Sequence, residues 1–333
     1  MRLRRVRLAG GDDAIAVWDD EATRWTAIAS AIAAVGDPGF AELPANDMIA
    51  LLAGGGETRE TLRALCVAAR EGHANAEYEL APLLPVAPVL MRAFANSERH
   101  WIQGARGLVR LNLPRVLPAI RAFEAVTRRP FPPFRPGKLF YEKPTFYLGN
   151  ALTFVPSGAE APWPAYTKRL DFEIELGAIV VRPLRDATLE QARDAIGGFV
   201  VVNDLSARDT QWDELRNGLF GPVVKTKTFA SAMSAEIVTA DEILSRVRDL
   251  HAEVKVNGEL WSRTGTADMR WSFEEMLAHA SAGEDVHAGE LLSAGTLPDG
   301  CGLELDRWIA PGDELELTIE HVGSVRNRIG FPR

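Results

Sequence analysis

The sequence predicts an α+β protein whose sheets are mixed or antiparallel. Strand signals dominate after about residue 145, in the alternating run FEIELGAIVV (172–181) and the buried run GGFVVVND (197–204). Asn257-Gly258, between two alternating apolar runs, is the strongest short hairpin signal in the chain. Helical segments interrupt the strands, among them SFEEMLAHAS (272–281), which opens with the spacing of a capping box. Interspersed helices and several hairpins together indicate this fold class.

The first 90 residues mix short strand-like pieces with helices such as WTAIASAIAAV (25–35) and ETRETLRALCVAAREG (57–72). A proline-rich connector, LAPLLPVAPVLMRAF (80–94), follows them, and prolines punctuate elements. We therefore predict a smaller N-terminal domain over residues 1–90 and a larger domain over residues 91–333.

Two further segments have a distinctive composition. RRPFPPFRPGKLFYEKPTFY (128–147) is irregular and rich in proline, and a long loop of this kind is more often a lid or a subunit contact than a spacer. DELELTIEHVGSVRNRIG (313–330) predicts a final strand pair whose turn lies at Gly323-Ser324.

Composition excludes several classes of protein. The net charge of −9 argues against nucleic acid as a partner, because phosphate binding needs clustered Lys and Arg. Apolar runs stay well short of the roughly 18 residues of a membrane span, and the N-terminus lacks the apolar stretch of a secretory signal. Two cysteines, Cys66 and Cys301, suit a reducing compartment. These features predict a cytoplasmic protein that binds neither nucleic acid nor a membrane.

Glu173 and Glu175 are the first candidate site residues, because two acids stand one residue apart on a buried strand. Alternate strand residues share a face, so the two carboxylates lie side by side and repel each other by a few kcal/mol at about 6 to 7 Å in an effective dielectric constant of about 20. A divalent cation removes this repulsion, and so does solvation on an outward face. Asp204, where the next buried strand ends, favours the cation, although alone it suits a helix N-cap.

Polar residues downstream suggest a substrate site. Arg208 and Gln211 share a helical face, and Arg208 can grip a carboxylate, or else pair on the surface with Asp209 or Asp213. Lys225 or Lys227 can stabilise an oxyanion beside a metal, although a solvated lysine is the simpler interpretation of each. The glycine-rich segment SAGTLPDGCGLELDRW (293–308) contains Thr296 and a strand carrying Glu304.

Four motifs in order, LDFEIELGAIV, VVNDLSARDTQ, GPVVKTKTF and SAGT…GCGLEL, resemble the fumarylacetoacetate hydrolase family over roughly residues 90 to 333. The resemblance implies a mixed β-roll or β-sandwich catalytic domain, a smaller N-terminal α/β domain and a homodimer. It also implies a divalent cation, Mg²⁺ or else Mn²⁺ or Ca²⁺, and a small keto acid as substrate.

The resemblance assigns roles to residues of this sequence. The metal ligands are Glu173, Glu175 and Asp204, and Asp171 matches no ligand position. Arg208, Gln211 and Thr296 contact the substrate. The catalytic residues are His100, Lys227 (in place of Lys225) and Glu304.

Two departures from the family pattern concern the acid–base pair. In NSERHWIQ (96–103) the lid histidine aligns with His100, but Gln103 stands where smaller members carry a glutamate. KLFYEKPTFYLGN (138–150) has no histidine where true fumarylacetoacetases carry one, whereas their second acid survives as Glu304. His100 would therefore pair with Glu98 or with an acid supplied elsewhere, and it would activate water or move a proton with or without Glu304.

The predicted activity is hydrolysis of a carbon–carbon bond in a small diketo acid, similar to an acylpyruvate or to fumarylacetoacetate. The resemblance also allows a 2-oxo acid decarboxylase, a hydratase, an enol–keto isomerase and a ligand-binding member without catalysis. The cation would polarise the keto or enolate oxygens in every catalytic case.

Overall fold

The structure is a computed structural model and describes residues 1–72 and 76–333. Over these residues the strands are β1 (Arg2–Leu8), β2 (Asp13–Asp19), β3 (Arg24–Ala27), β4 (Tyr78–Glu79), β5 (Met91–Ala95), β6 (Thr145–Gly149), β7 (Phe154–Pro156), β8 (Glu160–Trp163), β9 (Leu170–Asp171), β10 (Glu173–Val180), β11 (Ile196–Asn203), β12 (Ser206–Ala207), β13 (Ser231–Met233), β14 (Glu236–Thr239), β15 (His251–Val256), β16 (Glu259–Gly265), β17 (Leu291–Cys301), β18 (Glu314–Ile319) and β19 (Gly323–Pro332).

The α-helices over the same residues are α1 (Ile28–Val35), α2 (Met48–Ala53), α3 (Gly55–Glu71), α4 (Glu98–Asn112), α5 (Leu117–Thr127), α6 (Lys138–Glu142), α7 (Leu189–Asp194), α8 (Arg208–Asn217), α9 (Ala240–Ile243), α10 (Phe273–Ala280) and α11 (Gly302–Leu305). Short 3₁₀ turns lie at Pro38–Phe40, Pro114–Val116, Pro132–Phe134, Ala151–Thr153 and Leu244–Arg246. None of the helices in the described ranges combines the length and hydropathy that crossing a membrane requires.

A large mixed sheet forms the centre of the molecule. Its main path runs β3-β2-β1-β14-β11-β10-β17-β5-β6, with β4, β7 and β13 paired at its sides. A second sheet, β16-β15-β18-β19-β8, packs against it, and β12 pairs with β9 alone. Most neighbours are antiparallel, but β17 with β5, β13 with β7 and β19 with β8 are parallel. The predicted α+β class is therefore confirmed.

Strand β10 lies between β11 and β17 and is buried along its whole length. Its alternation separates two cores: Ile174 and Leu176 pack with Phe199 on the side of the second sheet, whereas Ile179 packs with the helices α1 to α3 on the other. Phe172 belongs to the first core as well, as its position in the alternation predicts. The strand that carries the two glutamates is thus anchored on both faces.

The N-terminal strands continue the large sheet. Strand β1 is antiparallel to β14, with Arg2 opposite Val238. Leu51 and Leu65 share one apolar core with Val200, across the boundary that we place at residue 90. That boundary remains a prediction, and the sheet and core are continuous across it.

Local turn signals are largely confirmed. Asn257 and Gly258 join β15 to β16 with positive φ angles of 52° and 79°, which a two-residue hairpin of this kind needs. The capping box at Ser272 is present at the start of α10. The predicted turn at Gly323-Ser324 is wrong, because β19 already begins at Gly323 and the turn lies at residues 320–322. His321 takes the left-handed conformation there, with φ of 64°.

Candidate active site

Three carboxylates meet where β10 begins and β11 ends. The antiparallel pairing sets Ile174 opposite Asn203, which brings Asp204 beside Glu173 and Glu175. One oxygen from each of the three carboxylates lies within 4.8 Å of the others, and all three side chains are buried. The structure thus brings together the three acids that the sequence nominates as metal ligands.

Strand β17 supplies hydroxyl groups to Glu175. Thr296 lies opposite Glu175 across an irregular register, and its Oγ1 donates a hydrogen bond of 3.2 Å to Oε1. The Ser293 hydroxyl donates to Oε2 of the same carboxylate. Gly295 makes the irregularity possible: its φ is +84°, and a Cβ there would lie 2.1 Å from the Phe94 carbonyl oxygen.

Lys227 lies within the acidic cluster. Its Nζ donates to Glu173 Oε2 at 2.5 Å and to Asp204 Oδ2 at 2.8 Å. Lys225, by contrast, lies outside the cluster, with Nζ 5.2 Å from the centre of the Tyr166 ring. The family resemblance assigns the catalytic role to the same lysine of the two.

Arg208 is fully buried, and carboxylates hold its guanidinium. Nε donates to Asp171 Oδ2 and Nη2 to Glu173 Oε1, each at 2.7 Å, and Nη1 donates to Gln211 Oε1 at 3.0 Å. The alternative of a surface pair with Asp209 or Asp213 is wrong. Asp171 matches no metal-ligand position of the family, so the sequence does not assign it a role in the site. It nevertheless shares a strand face with Glu173, and this shared face is the signal that places it in the site.

Glu304 lies beside His100. Its Oε2 is 3.2 Å from His100 Nδ1, and the Glu304 side chain has no exposed surface, whereas 22% of the His100 side chain is exposed. The two atoms lie within ion-pair distance, and the contact joins opposite charges when His100 is protonated. Glu98, the alternative partner, instead accepts a hydrogen bond of 2.5 Å from the Tyr141 hydroxyl.

The expectation that Glu304 lies on a strand is wrong, because the chain leaves β17 at Cys301 and forms the one-turn helix α11. Asp171 stabilises this turn by accepting hydrogen bonds from the backbone N–H groups of Gly302 and Leu303 at 2.7 and 2.9 Å. A buried carboxylate 131 residues away in the chain thus orients Glu304 toward His100.

A cavity of about 650 Å³ opens along α4. Gln103 lines it, and the Gln103 Oε1 atom is buried with no hydrogen-bond partner in the described chain. Another cavity, of about 460 Å³, lies between β2 and α3, and neither cavity is lined by a predicted catalytic, substrate-binding or metal-binding residue. The cavity along α4 is lined by Glu98, Arg99, Ile102, Gln103, Arg106, Pro130, Phe140, Asp268 and Arg270.

The charges of the site do not balance. Four buried carboxylates, Asp171, Glu173, Glu175 and Asp204, face the two buried cations Arg208 and Lys227. Burial raises the pKa of Glu175 to about 8, and the charges of Asp204 and Glu173 add to the effect.

The pKa of Glu173 is shifted in the opposite direction, below its ordinary value. Burial alone would raise its pKa, but the charges of Lys227 and Arg208 outweigh burial and hold the pKa well below the ordinary value.

A divalent cation would supply the positive charge that the site lacks, and carboxylate oxygens are the ligands that Mg²⁺ and Mn²⁺ prefer. The residues of the site therefore fit such an ion.

The sequence of the chain matches a known family. Residues 133–330 match the model described as the C-terminal domain of fumarylacetoacetate (FAA) hydrolase. The match spans more than half of the chain, which therefore belongs to the fumarylacetoacetate hydrolase family of enzymes. The predicted family is confirmed.

Three similar proteins illustrate the reactions found in this family. A mitochondrial oxaloacetate tautomerase of Pongo abelii is 28% identical over 190 residues, 57% of this chain and 82% of the relative. The fumarylacetoacetate hydrolase of Exiguobacterium antarcticum matches over 100% of both chains, with a TM-score of 0.63 and 20% identity. A fumarylpyruvate hydrolase of Pseudomonas aeruginosa, solved with Mn²⁺ and pyruvate, matches 75% of this chain and 99% of its own, with a TM-score of 0.53 and 22% identity. The two structures show a shared fold.

Proposed function

We propose that this protein is a divalent-metal-dependent hydrolase that cleaves a carbon–carbon bond in a small diketo acid. The observation that carries the proposal is the contact between His100 and Glu304 beside the buried carboxylate cluster. Hydrolysis needs a base for water, and a partly exposed histidine with a buried carboxylate partner can serve as that base. The fumarylpyruvate hydrolase solved with Mn²⁺ and pyruvate supports the metal and the class of substrate.

Glu173, Glu175 and Asp204 would hold the cation, Mg²⁺ or Mn²⁺. When bound, the cation supplies Lewis-acid polarisation of the 2-oxo group and stabilises enolate charge. Lys227 adds a fixed positive charge, since Asp204 and Glu173 raise its pKa against the effect of burial. Gln211, which is half-buried beside Arg208, and Thr296 are the proposed contacts to the substrate.

His100 would act first as a base and then as an acid. Burial lowers the pKa of His100, but the Glu304 charge outweighs burial and raises it, so the imidazole binds a proton readily. His100 Nε2 takes a proton from water, the water oxygen forms a bond to the distal carbonyl carbon, and the carbon–carbon bond breaks. The departing enolate carbon then takes the proton from Nε2, which leaves a 2-oxo acid and a carboxylic acid that releases its proton to solvent. The cavity along α4, which Gln103 lines, is the space that we propose for the distal part of the substrate.

Enol–keto isomerisation of oxaloacetate is a second candidate. A relative with 28% identity is an oxaloacetate tautomerase. Isomerisation moves a proton between oxygen and carbon and consumes no water, so the same base and cation suffice. The homodimer and the cytoplasmic location remain predictions.

A panel of substrates tests both candidates. Acetylpyruvate, fumarylpyruvate and oxaloacetate are assayed with Mg²⁺, and we expect loss of the diketo absorbance with release of pyruvate. Enol–keto conversion of oxaloacetate without cleavage of either diketo acid would favour the second candidate.

The variant His100→Ala tests the base. We expect its kcat to fall by about 10²- to 10⁴-fold with Mg²⁺ binding retained. His321→Asn, on the turn at residues 320–322, is the matched control and should keep full activity, because Asn tolerates the left-handed conformation of that position. Undiminished turnover by His100→Ala would refute the assignment.

A further inference from the structure

A second group of metal-binding side chains adjoins the carboxylate cluster. His100, Cys301 and Glu304 each offer one ligand atom, and these atoms lie within 4.8 Å of one another. The group contains an imidazole nitrogen, a sulfur and a carboxylate oxygen, whereas Glu173, Glu175 and Asp204 offer oxygen alone. The two groups therefore differ in the metals that they prefer.

Two polar atoms of this second group make no aligned hydrogen bond, although His100 Nδ1 lies within ion-pair distance of Glu304 Oε2. His100 Nδ1 and Glu304 Oε1 are buried and make no hydrogen bond within the described chain. The side chain of Glu304 has no exposed surface, and Cys301 is fully buried beside it. Buried polar atoms are rarely left unpaired, so the unpaired Glu304 Oε1 points to a ligand that the chain itself does not supply.

Two of the three separations within the group are close to those of tetrahedral coordination. In a tetrahedral zinc site, bond lengths of about 2.1 Å to nitrogen and oxygen and about 2.3 Å to sulfur separate N from O by about 3.3 Å and S from O by about 3.6 Å. Glu304 Oε2 lies 3.2 Å from His100 Nδ1 and 3.3 Å from Cys301 Sγ. The second of these contacts is a hydrogen bond from the Cys301 thiol, which an ion would replace, and the N–S separation is within 4.8 Å.

We propose that His100, Cys301 and Glu304 form a site for Zn²⁺, with water as the fourth ligand, and that zinc bound there inhibits the enzyme. Zn²⁺ binds the thiolate, so Cys301 releases one proton to solvent on binding. Zinc on Nδ1 forces the imidazole proton onto Nε2, which can then no longer accept a proton from water. Zinc binding is independent of the proposed reaction, whereas the inhibition rests on His100 acting as the base.

Cobalt provides the test for binding. Metal-free protein is first saturated with Mg²⁺ and then titrated with Co²⁺, while thiolate-to-cobalt charge-transfer absorption is recorded in the near ultraviolet. The carboxylate cluster has no sulfur and cannot produce this band. We expect one equivalent of Co²⁺ to produce the band and Zn²⁺ to remove it.

Cysteine variants locate the site. The band should vanish in Cys301→Ser and persist in Cys66→Ser, which changes the other buried cysteine. Circular dichroism confirms folding, and Cys301→Ala replaces the serine variant if that fails to fold. Glu304→Gln, which keeps the sulfur, should weaken Co²⁺ affinity by about tenfold or more. No sulfur band in the wild-type protein, or a band that persists in a folded Cys301 variant, overturns the proposal.

Inhibition is measured separately at saturating Mg²⁺ on the best substrate of the panel. We expect the Zn²⁺ concentration for half-inhibition to rise at least about tenfold in the Cys301 variant relative to wild type and to Cys66→Ser. Equal inhibition of all three proteins would refute the inhibitory role. If no substrate is turned over, the proposed function fails while the cobalt spectrum still decides whether the site exists.

Discussion

Glu175 differs from the other carboxylates of the site in having no direct cationic partner within the described chain. Arg208 contacts Asp171 and Glu173, and Lys227 contacts Glu173 and Asp204. Glu175 receives hydrogen bonds only from hydroxyl groups, and burial raises its pKa to about 8. A proton or a metal ion must therefore compensate its charge.

This competition predicts how metal binding depends on pH. Mg²⁺ must displace the proton of Glu175 below about pH 8, so we expect affinity to weaken by about tenfold for each pH unit between pH 8 and pH 6 and to level off above pH 8. Isothermal titration calorimetry at each pH measures the Mg²⁺ affinity. Glu175→Gln should bind Mg²⁺ weakly and with a flatter pH profile, whereas Glu190→Gln, an exposed control on α7, should behave as wild type. Equal wild-type affinity at pH 6 and pH 8 would contradict the assignment.

The stability of the metal-free protein should also depend on Glu175, but it should fall as pH rises, whereas Mg²⁺ affinity rises. The folded-state pKa of Glu175 lies above its unfolded value, so its contribution is fully present below about pH 4.5 and is lost as pH rises through about 8. Saturating Mg²⁺ should remove this loss, and the rise in melting temperature on adding Mg²⁺ should be larger at pH 8 than at pH 6.

At the scale of elements, the contact between α4 and α11 sets the position of His100 relative to Glu304. Gly107 allows the close approach, because a Cβ there would lie 2.6 Å from the Leu303 carbonyl oxygen and 2.8 Å from Leu303 Cγ. Arg110 Nη2 donates to that same carbonyl oxygen at 2.6 Å. The two catalytic candidates thus depend on one tight helix contact.

A pair of glycine variants on α4 tests this contact. Gly107→Ala should push α4 away from α11 and lower kcat at least tenfold, while Mg²⁺ binding stays within about twofold of wild type because the carboxylate cluster lies on other elements. Gly104→Ala is the matched control, since a Cβ there meets nothing within 4 Å. It should keep activity and stabilise the protein by up to about 1 kcal/mol. Equal activity of the two variants would show that the contact does not position His100.

At the scale of the whole molecule, the N-terminal segment is part of the central sheet. β1 pairs with β14, and residues from both sides of position 90 share one apolar core. Removing the segment would expose one edge of β14 and the face of β11 that contains Val200 and Val202. An exposed apolar face and an unpaired strand edge favour aggregation.

Truncation tests this dependence. We expect residues 91–333 alone to aggregate or to unfold without a cooperative thermal transition, and residues 1–90 added as a separate chain to restore some of that cooperativity. Differential scanning calorimetry makes the comparison with the full chain. A cooperative transition of the isolated 91–333 segment would instead establish it as an autonomous domain.

Local patterns in the sequence are enough to predict much of the fold. Alternation along residues 172–181 and the Asn257-Gly258 turn depend on residues close in sequence, and the strands and the hairpin follow them. Because alternation also sets which face each side chain occupies, the convergence of Glu173 and Glu175 was predictable as well. The turn near Gly323 was misplaced because glycine and serine suit several positions within a hairpin.

Long-range contacts account for the rest of the candidate site. No local pattern in the chain pairs Glu304 with His100 or Asp171 with Arg208, since these partners come from different elements that only the packed structure brings together. The same applies to α11, because its single turn depends on hydrogen bonds that its N–H groups donate to Asp171 on β9. The amino-acid sequence therefore specifies which strands carry the acids, and tertiary packing specifies which charges meet, because periodicity is a local property and proximity is not.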